Sequence, residues 1–322
     1  MKKILIVGAG GQIGSELVPY LRSIYGETNV VAADISAEKC KALAEAGPFE
    51  ELNALDGEGF SAIVKKYNID TIFNLVALLS ATGEKNPKLA WDINIGALTN
   101  SLYIAKDNNC AVFTPSSIGA FGNDTPKDKT PQDTLQRSNT TIYGVCKVTG
   151  ELLSDYYFHR FGVDTRSVRF PGLISYVTLP GGGTTDYAVE IYYDAIRKGS
   201  FTCNVEAGTY MDMMYMPDAL HAVVQLMEAD PSKLKHRNSF NIASMSFEPE
   251  QIAAEIRKHM PDFKLDYQID PVKQAIANSW PNSMDDTCAR QEWGWAPKYD
   301  LTSMTNDMLI KVKEKFDKGL IK

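Results

Sequence analysis

The 322-residue sequence predicts an α/β fold, a doubly wound parallel sheet with a smaller mixed α/β lobe at the C-terminal end. Three observations carry this reading. An apolar run near the start, KKILIVGAG, breaks into glycines and continues with helical spacing. Short apolar runs then alternate with helical stretches as far as Gly172, the pattern of strands joined by crossover helices and covered on both faces. Beyond Gly172 that regularity stops.

In order along the chain, the strand in KKILIVGAG leads into a helix over GQIGSELVPYLRSIYG, with Gly26 where a C-terminal cap belongs. NVVAADIS reads as the second strand. TIFNLVAL, CAVFTPSS and GVDTRSVRFPG follow as strands, separated by helical candidates in GEGFSAIVKKYN, NPKLAWDINIGALTNSLYIAKDNN and TIYGVCKVTGELLSDYYFHRFG. After the glycine-rich segment RFPGLISYVTLPGGGTTDYA come a helix near 187–198, short strands around 211–215, and helices near 217–228, 249–259 and 301–316. The expected division is a nucleotide-binding domain over residues 1–172 and a smaller lobe over 173–322, some segments of which return to the first domain.

A net charge of -7 and a pI near 5.3 argue against nucleic-acid or anionic-membrane partners, which demand clustered Lys and Arg. The five cysteines are scattered and the four histidines show no ligand spacing, so a reducing compartment and no metal site are expected. No apolar run is long enough to span a bilayer, and glycines begin too early for a signal peptide; the expected location is the cytoplasm.

Gly8, Gly11 and Gly14 sit between the first strand and the first helix. In that context glycines allow a tight turn, close backbone approach to a pyrophosphate and close helix packing, while the helix N-terminus offers N–H donors to the anion. This is the Rossmann-type dinucleotide turn. Asp34, at the end of the second strand, is placed to accept both ribose hydroxyls, and no cation follows until Lys39. NAD is therefore expected over NADP, whose 2′-phosphate would meet a negative charge. Asp56 fits either a contact to the adenine edge or a solvated loop carboxylate.

Tyr143 and Lys147 are four apart in a helical stretch and share a face. Ser117 ends the fifth strand, at the sheet edge where such folds bind ligands. Oxidising a secondary alcohol needs a base for the hydroxyl proton, and a phenol of ordinary pKa ~10 acts as one only if its anion is favoured, which a neighbouring ammonium and a positive nicotinamide ring would do. Ser117 would hold the substrate oxygen. Asn94 could orient Lys147 through a water or support its own helix.

Taken together, GAGGQIGSEL, AADIS, SSIGAFG, YGVCK and RFPGLIS resemble the extended short-chain dehydrogenase/reductase superfamily over essentially the whole chain. Within it, ALLSATGE, the glycine-rich segment and TYMDMMYMPDAL are similar to the NAD-dependent L-threonine 3-dehydrogenases. That resemblance implies Ser117, Tyr143 and Lys147 as catalytic with Asn94 in support. It also places Gln12, Ile13, Ile35, Ala77 and Pro171 at the cofactor together with Gly8, Gly11, Gly14, Asp34, Asp56, Tyr143 and Lys147. By the same resemblance Ser80, Ser117, Tyr143, Thr184, Thr185 and Asp186 are expected at a small-molecule substrate, L-threonine, and a homodimer is implied through the two long helices. The sequence departs from the superfamily at Phe121, where epimerases often carry Tyr.

The glycine-rich loop can close over a zwitterion, hydroxyls and N–H groups meeting its carboxylate and Asp186 its ammonium; alternatively Asp186 simply caps the helix after it. Ser80 fits a site hydroxyl or a loop start. Trp280 fits a pocket wall or core cover, and the Met-rich segment reads as small-lobe packing. Rival readings are a nucleotide-sugar epimerase or dehydratase, disfavoured by only Arg197 and Lys198 as cations between 173 and 216, and a non-catalytic NAD-sensing protein.

Overall fold

The computed structural model describes residues 1–135, 138, 140–179 and 181–321. Its first part alternates strands with helices: β1 (Ile4–Val7), α1 (Gly14–Tyr25), β2 (Val30–Asp34), α2 (Lys41–Glu45), β3 (Phe49–Glu51), α3 (Gly57–Tyr67), β4 (Thr71–Asn74), α4 (Ser80–Gly83), α5 (Pro87–Asn108), β5 (Ala111–Phe113), β6 (Ser116–Ser117), α6 (Ile142–Phe161), β7 (Thr165–Arg166) and β8 (Val168–Phe170), doubled only at α4-α5, β5-β6 and β7-β8. The strand order is β3-β2-β1-β4-β5-β7, all parallel. Ile4 of β1 stands opposite Val30 on one side and Thr71 on the other, so the order reverses between β1 and β4. That reversal opens a crevice at the strands' carboxyl ends.

The expected strand CAVFTPSS is broken. Pro115 has no N–H to give the ladder, so β5 ends at Phe113 and pairing resumes in β6, which lies beside β8. The run TIFNLVAL also shortens: β4 stops at Asn74, and Ser80 opens the short helix α4.

The second part contains β9 (Gly172–Ile174), α7 (Tyr187–Lys198), β10 (Ser200–Cys203), β11 (Met211–Tyr215), α8 (Met216–Glu228), β12 (Phe240–Asn241), β13 (Met245–Phe247), α9 (Pro249–His259), β14 (Lys264–Tyr267), α10 (Pro271–Ser279), α11 (Thr287–Trp293) and α12 (Leu301–Asp317). β9 pairs β11, β11 pairs β13, and β10 pairs β14. β12 pairs β8 in a separate three-stranded sheet, β12-β8-β6, which joins a strand of the second part to two of the first. α8 buries Met216, Leu220 and Val223 against Leu17, Leu21 and Phe73 of the first part.

The Met-rich segment packs two ways, not into the small lobe alone. Met211 and Met213 point into a core with Tyr187, Ile191 and Phe247, while Met214 and Met216 point into the core around α1 and β4. Alternation along β11 explains the split, because successive side chains face opposite sides of a strand. Among the described residues no helix is long and apolar enough to cross a membrane.

Beneath the crevice lies a buried ionic network. Arg169 Nη2 is 2.9 Å from Glu151 Oε2, and both side chains are 5% exposed. Arg169 also donates to Gln132 O (2.9 Å) and Asn241 Oδ1 (3.0 Å), while Ser116 Oγ donates to Glu151. The network joins β6, β8, β12 and α6, and its satisfied partners let a charge pair lie this deep.

Candidate active site

A cleft of about 740 Å³ opens at the carboxyl ends of β1, β4, β6 and β8. Gly8, Gly11, Gln12, Ile13 and Gly14 line one end, Ala77 and Pro171 the middle, and Ser80, Ser117, Tyr143 and the 183–186 segment the other. The turn after β1 depends on glycine: a Cβ at Gly14 would stand 2.5 Å from Gly8 O and 2.7 Å from Ala9 Cα. Helix α1 thereby starts against the turn with its first N–H groups open to a ligand.

Asp34 Oδ2 accepts the N–H of Gly10 (2.9 Å) and Oδ1 that of Ser36 (3.0 Å), which fixes the carboxylate beside the glycine turn. Asp34, Ile35 and Asp56 are not themselves among the cleft-lining residues: Ile35 is largely exposed, and Asp56 Oδ1 caps α3 through Gly59 N (3.0 Å). The cleft instead presents Gln12 Nε2, Asn74 Nδ2 and Thr114 Oγ1, buried and without partners. Buried donors of this kind call for a polar ligand. Together with the glycine turn they fit NAD, the protein's cofactor.

The candidate catalytic side chains Tyr143 and Lys147 are set by the start of α6. Thr141 Oγ1 accepts the N–H of Gly144 (3.0 Å) and Glu84 Oε1 accepts that of Ile142 (2.7 Å), a double cap that places Tyr143 in the first turn. Gly144, next to it, lets the helix approach the turn at Ile118–Ala120, since any Cβ there would collide with Gly119 O and Ser138 Oγ. Ser138 Oγ in turn donates to Gly119 O at 2.7 Å. Ser117 Oγ accepts the N–H of Gly119 (3.1 Å), and Gly119 packs on the Tyr143 ring. Lys147 Nζ donates to Pro115 O (2.6 Å) and sits 5.3 Å from the Tyr143 ring centroid. Sequence reasoning missed this arrangement, because a glycine between Tyr143 and Lys147 reads only as a weak helix former.

Asn94 lies in α5 and turns its side chain to the backbone after β4. Its Oδ1 accepts the N–H of Leu78 (2.7 Å) and its Nδ2 donates to Leu78 O (3.2 Å), so it pins the backbone after β4, two residues before Ser80. Ser80 Oγ lies 3.4 Å from Thr184 Oγ1, which brings together residues 104 positions apart. Asp186 stands at the N-cap position of α7, but its side chain makes no capping hydrogen bond. Its backbone is already helical, and its Oδ2 reaches back to the N–H groups of Gly182 (3.0 Å) and Gly183 (2.7 Å). Burial pushes its carboxyl up to about 6, against the two glycine hydrogen bonds. Thr185 is half-buried at the same lining, and Trp280 both lines the cleft and packs in the second-part core.

The loop is tied to the cofactor helix by Ser15 Oγ and Thr178 Oγ1 at 2.9 Å and by a hydrogen bond from Ser175 to Glu16. Nothing in the sequence linked these positions, which lie about 160 residues apart. Among the described residues lining the cleft the cations are Lys39 and Lys147; Arg197 and Lys198 lie at the far end of α7, where Lys198 pairs with Asp194.

The sequence profile described as NAD dependent epimerase/dehydratase family matches residues 4–243. An uncharacterized epimerase/dehydratase of Staphylococcus haemolyticus is 58% identical over 315 residues, 98% of this chain and 99% of that protein. The crystal structure of an L-threonine dehydrogenase from Clostridium difficile is 57% identical, covers 98% of each chain and superposes with a TM-score of 0.96. A GalE-like L-threonine dehydrogenase from Cupriavidus necator, in its holo form, is 48% identical with a TM-score of 0.93, covering 96% of this chain and 99% of its own.

Gly144→Ala tests the close approach. Overpacking of this kind costs about 1–3 kcal/mol, and displacing Tyr143 by about 1 Å costs on the order of 10²-fold in turnover. Urea unfolding, NAD affinity and kcat measured together should show a modest stability loss, near-normal NAD binding and a large fall in kcat; unchanged kcat would remove Gly144 from the account.

Proposed function

The chain belongs to the NAD dependent epimerase/dehydratase family, and we propose that within it this protein oxidises L-threonine at its 3-hydroxyl to 2-amino-3-oxobutyrate. The observation that carries the reading is a single cleft with Ser117, Tyr143 and Lys147 on one wall and a buried carboxylate, Asp186, with Thr184 and Ser80 on another. A hydroxy amino acid needs both walls. A nucleotide-sugar needs cations for a second pyrophosphate, and the described lining offers Lys39 at the glycine turn and Lys147 at the triad.

When bound, NAD supplies the hydride acceptor. Ser117 Oγ, its lone pair fixed toward Gly119 N, is left to donate to the substrate's 3-oxygen. Tyr143, 9% exposed, takes the hydroxyl proton as hydride leaves C3. The Lys147 ammonium lies beside the ring and offsets the negative charge on the phenol oxygen while it acts as base. Hydroxyls of Ser80, Thr184 and Thr185 meet the substrate carboxylate, and Asp186 meets the ammonium. Purified protein with NAD should form NADH with L-threonine and not interconvert UDP-sugars, and Tyr143→Phe should lower kcat ~10²–10⁴-fold while sparing NAD affinity. Epimerisation without NADH formation would reject the substrate.

Asp186 makes the reading pH-dependent. Its carboxyl is protonated below about 6 and then cannot pair with an ammonium. The KM for L-threonine should therefore rise as pH falls through about 6, with NAD affinity unaffected. Asp186→Asn should raise KM at neutral pH and abolish that dependence; a lowered melting temperature with normal threonine kinetics would leave Asp186 as a brace for the glycine loop.

The long helices α5 and α6 expose Trp91, Tyr103, Leu152 and Tyr156, at 40–64% of their surface. Large apolar side chains gathered on paired helices support the homodimer. Sedimentation equilibrium should show two chains, reduced to one by Leu152→Glu with Tyr156→Glu; a single-chain parent would contradict it.

A further inference from the structure

Away from the cleft, the chain entering β12 meets α11 at a cluster with no part in the reaction described above. Cys288 and Glu292 stand four residues apart in α11 and share a face, and His236 packs against them. One ligand atom from each lies within 4.8 Å of the others, and all three side chains are half-buried. His236 Nδ1 is 2.5 Å from Glu292 Oε1. The remaining atoms are already engaged. Glu292 Oε2 accepts the N–H groups of Lys235 (2.6 Å) and His236 (3.3 Å), and His236 Nε2 lies 3.4 Å from Asp133 Oδ1.

We propose that His236 Nδ1, Cys288 Sγ and Glu292 Oε1 form a binding site for a zinc-class divalent cation, with a solvent molecule as fourth ligand. A histidine–glutamate hydrogen bond alone would explain two of the three groups; it gives no reason for a thiol on the same side of the helix. The outer contacts also match those around metal ligands, where a carboxylate holds the imidazole's second nitrogen and backbone N–H groups orient a ligating carboxylate. One nitrogen, one sulfur and one oxygen suit Zn²⁺ and are poor for Mg²⁺ or Ca²⁺, which take oxygen ligands.

Ligation removes the thiol proton to solvent, and the thiolate and carboxylate then balance the cation's two charges. Zn–N and Zn–S bonds of about 2.0–2.3 Å require the imidazole and carboxylate to part by under ~1 Å and the thiol to turn inward, movements within side-chain rotation. None of the three residues lines the cleft. The cation would tie α11 to the segment leading into β12, whose Asn241 joins the Arg169 network under the catalytic strand. The ligands escaped the sequence because His236 is 52 positions from Cys288, outside any ligand spacing.

Chelator-treated protein titrated with Zn²⁺ and, separately, with Co²⁺ tests this. The expected result is one tight equivalent per chain, a rise in melting temperature with Zn²⁺, and a thiolate-to-cobalt charge-transfer band. Cys288→Ser and His236→Ala should each lower Zn²⁺ affinity at least ~10-fold and Cys288→Ser should remove the band, with far-UV circular dichroism and NAD affinity as in the parent. Failure of the parent to take up Zn²⁺ at micromolar concentration, uptake unchanged in both variants, or a cobalt spectrum without thiolate absorption would overturn the site. Loss of threonine oxidation alone would bear on the cleft and not on this cluster.

Discussion

The cleft wall that carries Ser117, Tyr143 and Lys147 depends on how closely the first turn of α6 approaches the turn after β6. Gly144 has no side chain, Ser138 bridges to Gly119 O, and Thr141 and Glu84 end the helix where Tyr143 reaches the cleft. Ser117, Tyr143 and Lys147, from two elements, are brought to one cleft by this contact. Lys147 follows one turn later, and its bond to Pro115 O uses a carbonyl at the break between β5 and β6. The proline that interrupts the strand thus leaves a carbonyl where the lysine is anchored.

The cleft is braced from below and from above. Underneath, the Arg169–Glu151 pair and Ser116 lock β6 and α6 to β8 in a buried, fully partnered network. Removing either charge would leave the other stranded in a low-dielectric interior. Above, the described residues between Ser175 and Asp186 are tied to α1 by Ser15 and Glu16, to α7 by Tyr193, to α12 by Lys315 and to themselves by Asp186. A substrate that brings its own charges can be enclosed by such a loop, with a carboxylate whose ionisation lies close to physiological pH.

The sheet was legible because it is local: apolar runs, glycines at turns and helical spacing are written in consecutive residues, and the parallel order follows from crossover helices. That the glycine turn, Ser117, Tyr143 and Lys147 would meet at one sheet edge was legible for the same reason, and all of them line the cleft, with Asp34 bonded to the turn beside it. Other features are tertiary and left no local trace. Asn94 is the helix residue it looked like, yet its side chain also holds Leu78's backbone; Asp186 stands at the cap position it looked made for, yet its side chain folds back onto two glycines. Asp56 shows the opposite case, a candidate for adenine contact whose described hydrogen bond is a helix cap. Pairings such as β10 with β14 or Ser15 with Thr178 connect distant segments whose partners no spacing rule relates.

The account's central claim is that Tyr143, Ser117 and Lys147 direct hydride loss from C3 of L-threonine. The most direct measurement uses L-threonine carrying deuterium at C3, with NMR of the reduced cofactor formed by the purified protein. The account predicts that the deuterium is found on C4 of the nicotinamide ring, in one stereochemical position, and that turnover by the parent slows relative to unlabelled threonine where chemistry limits the rate. Reduced cofactor free of deuterium, or label retained in the organic product, would contradict it.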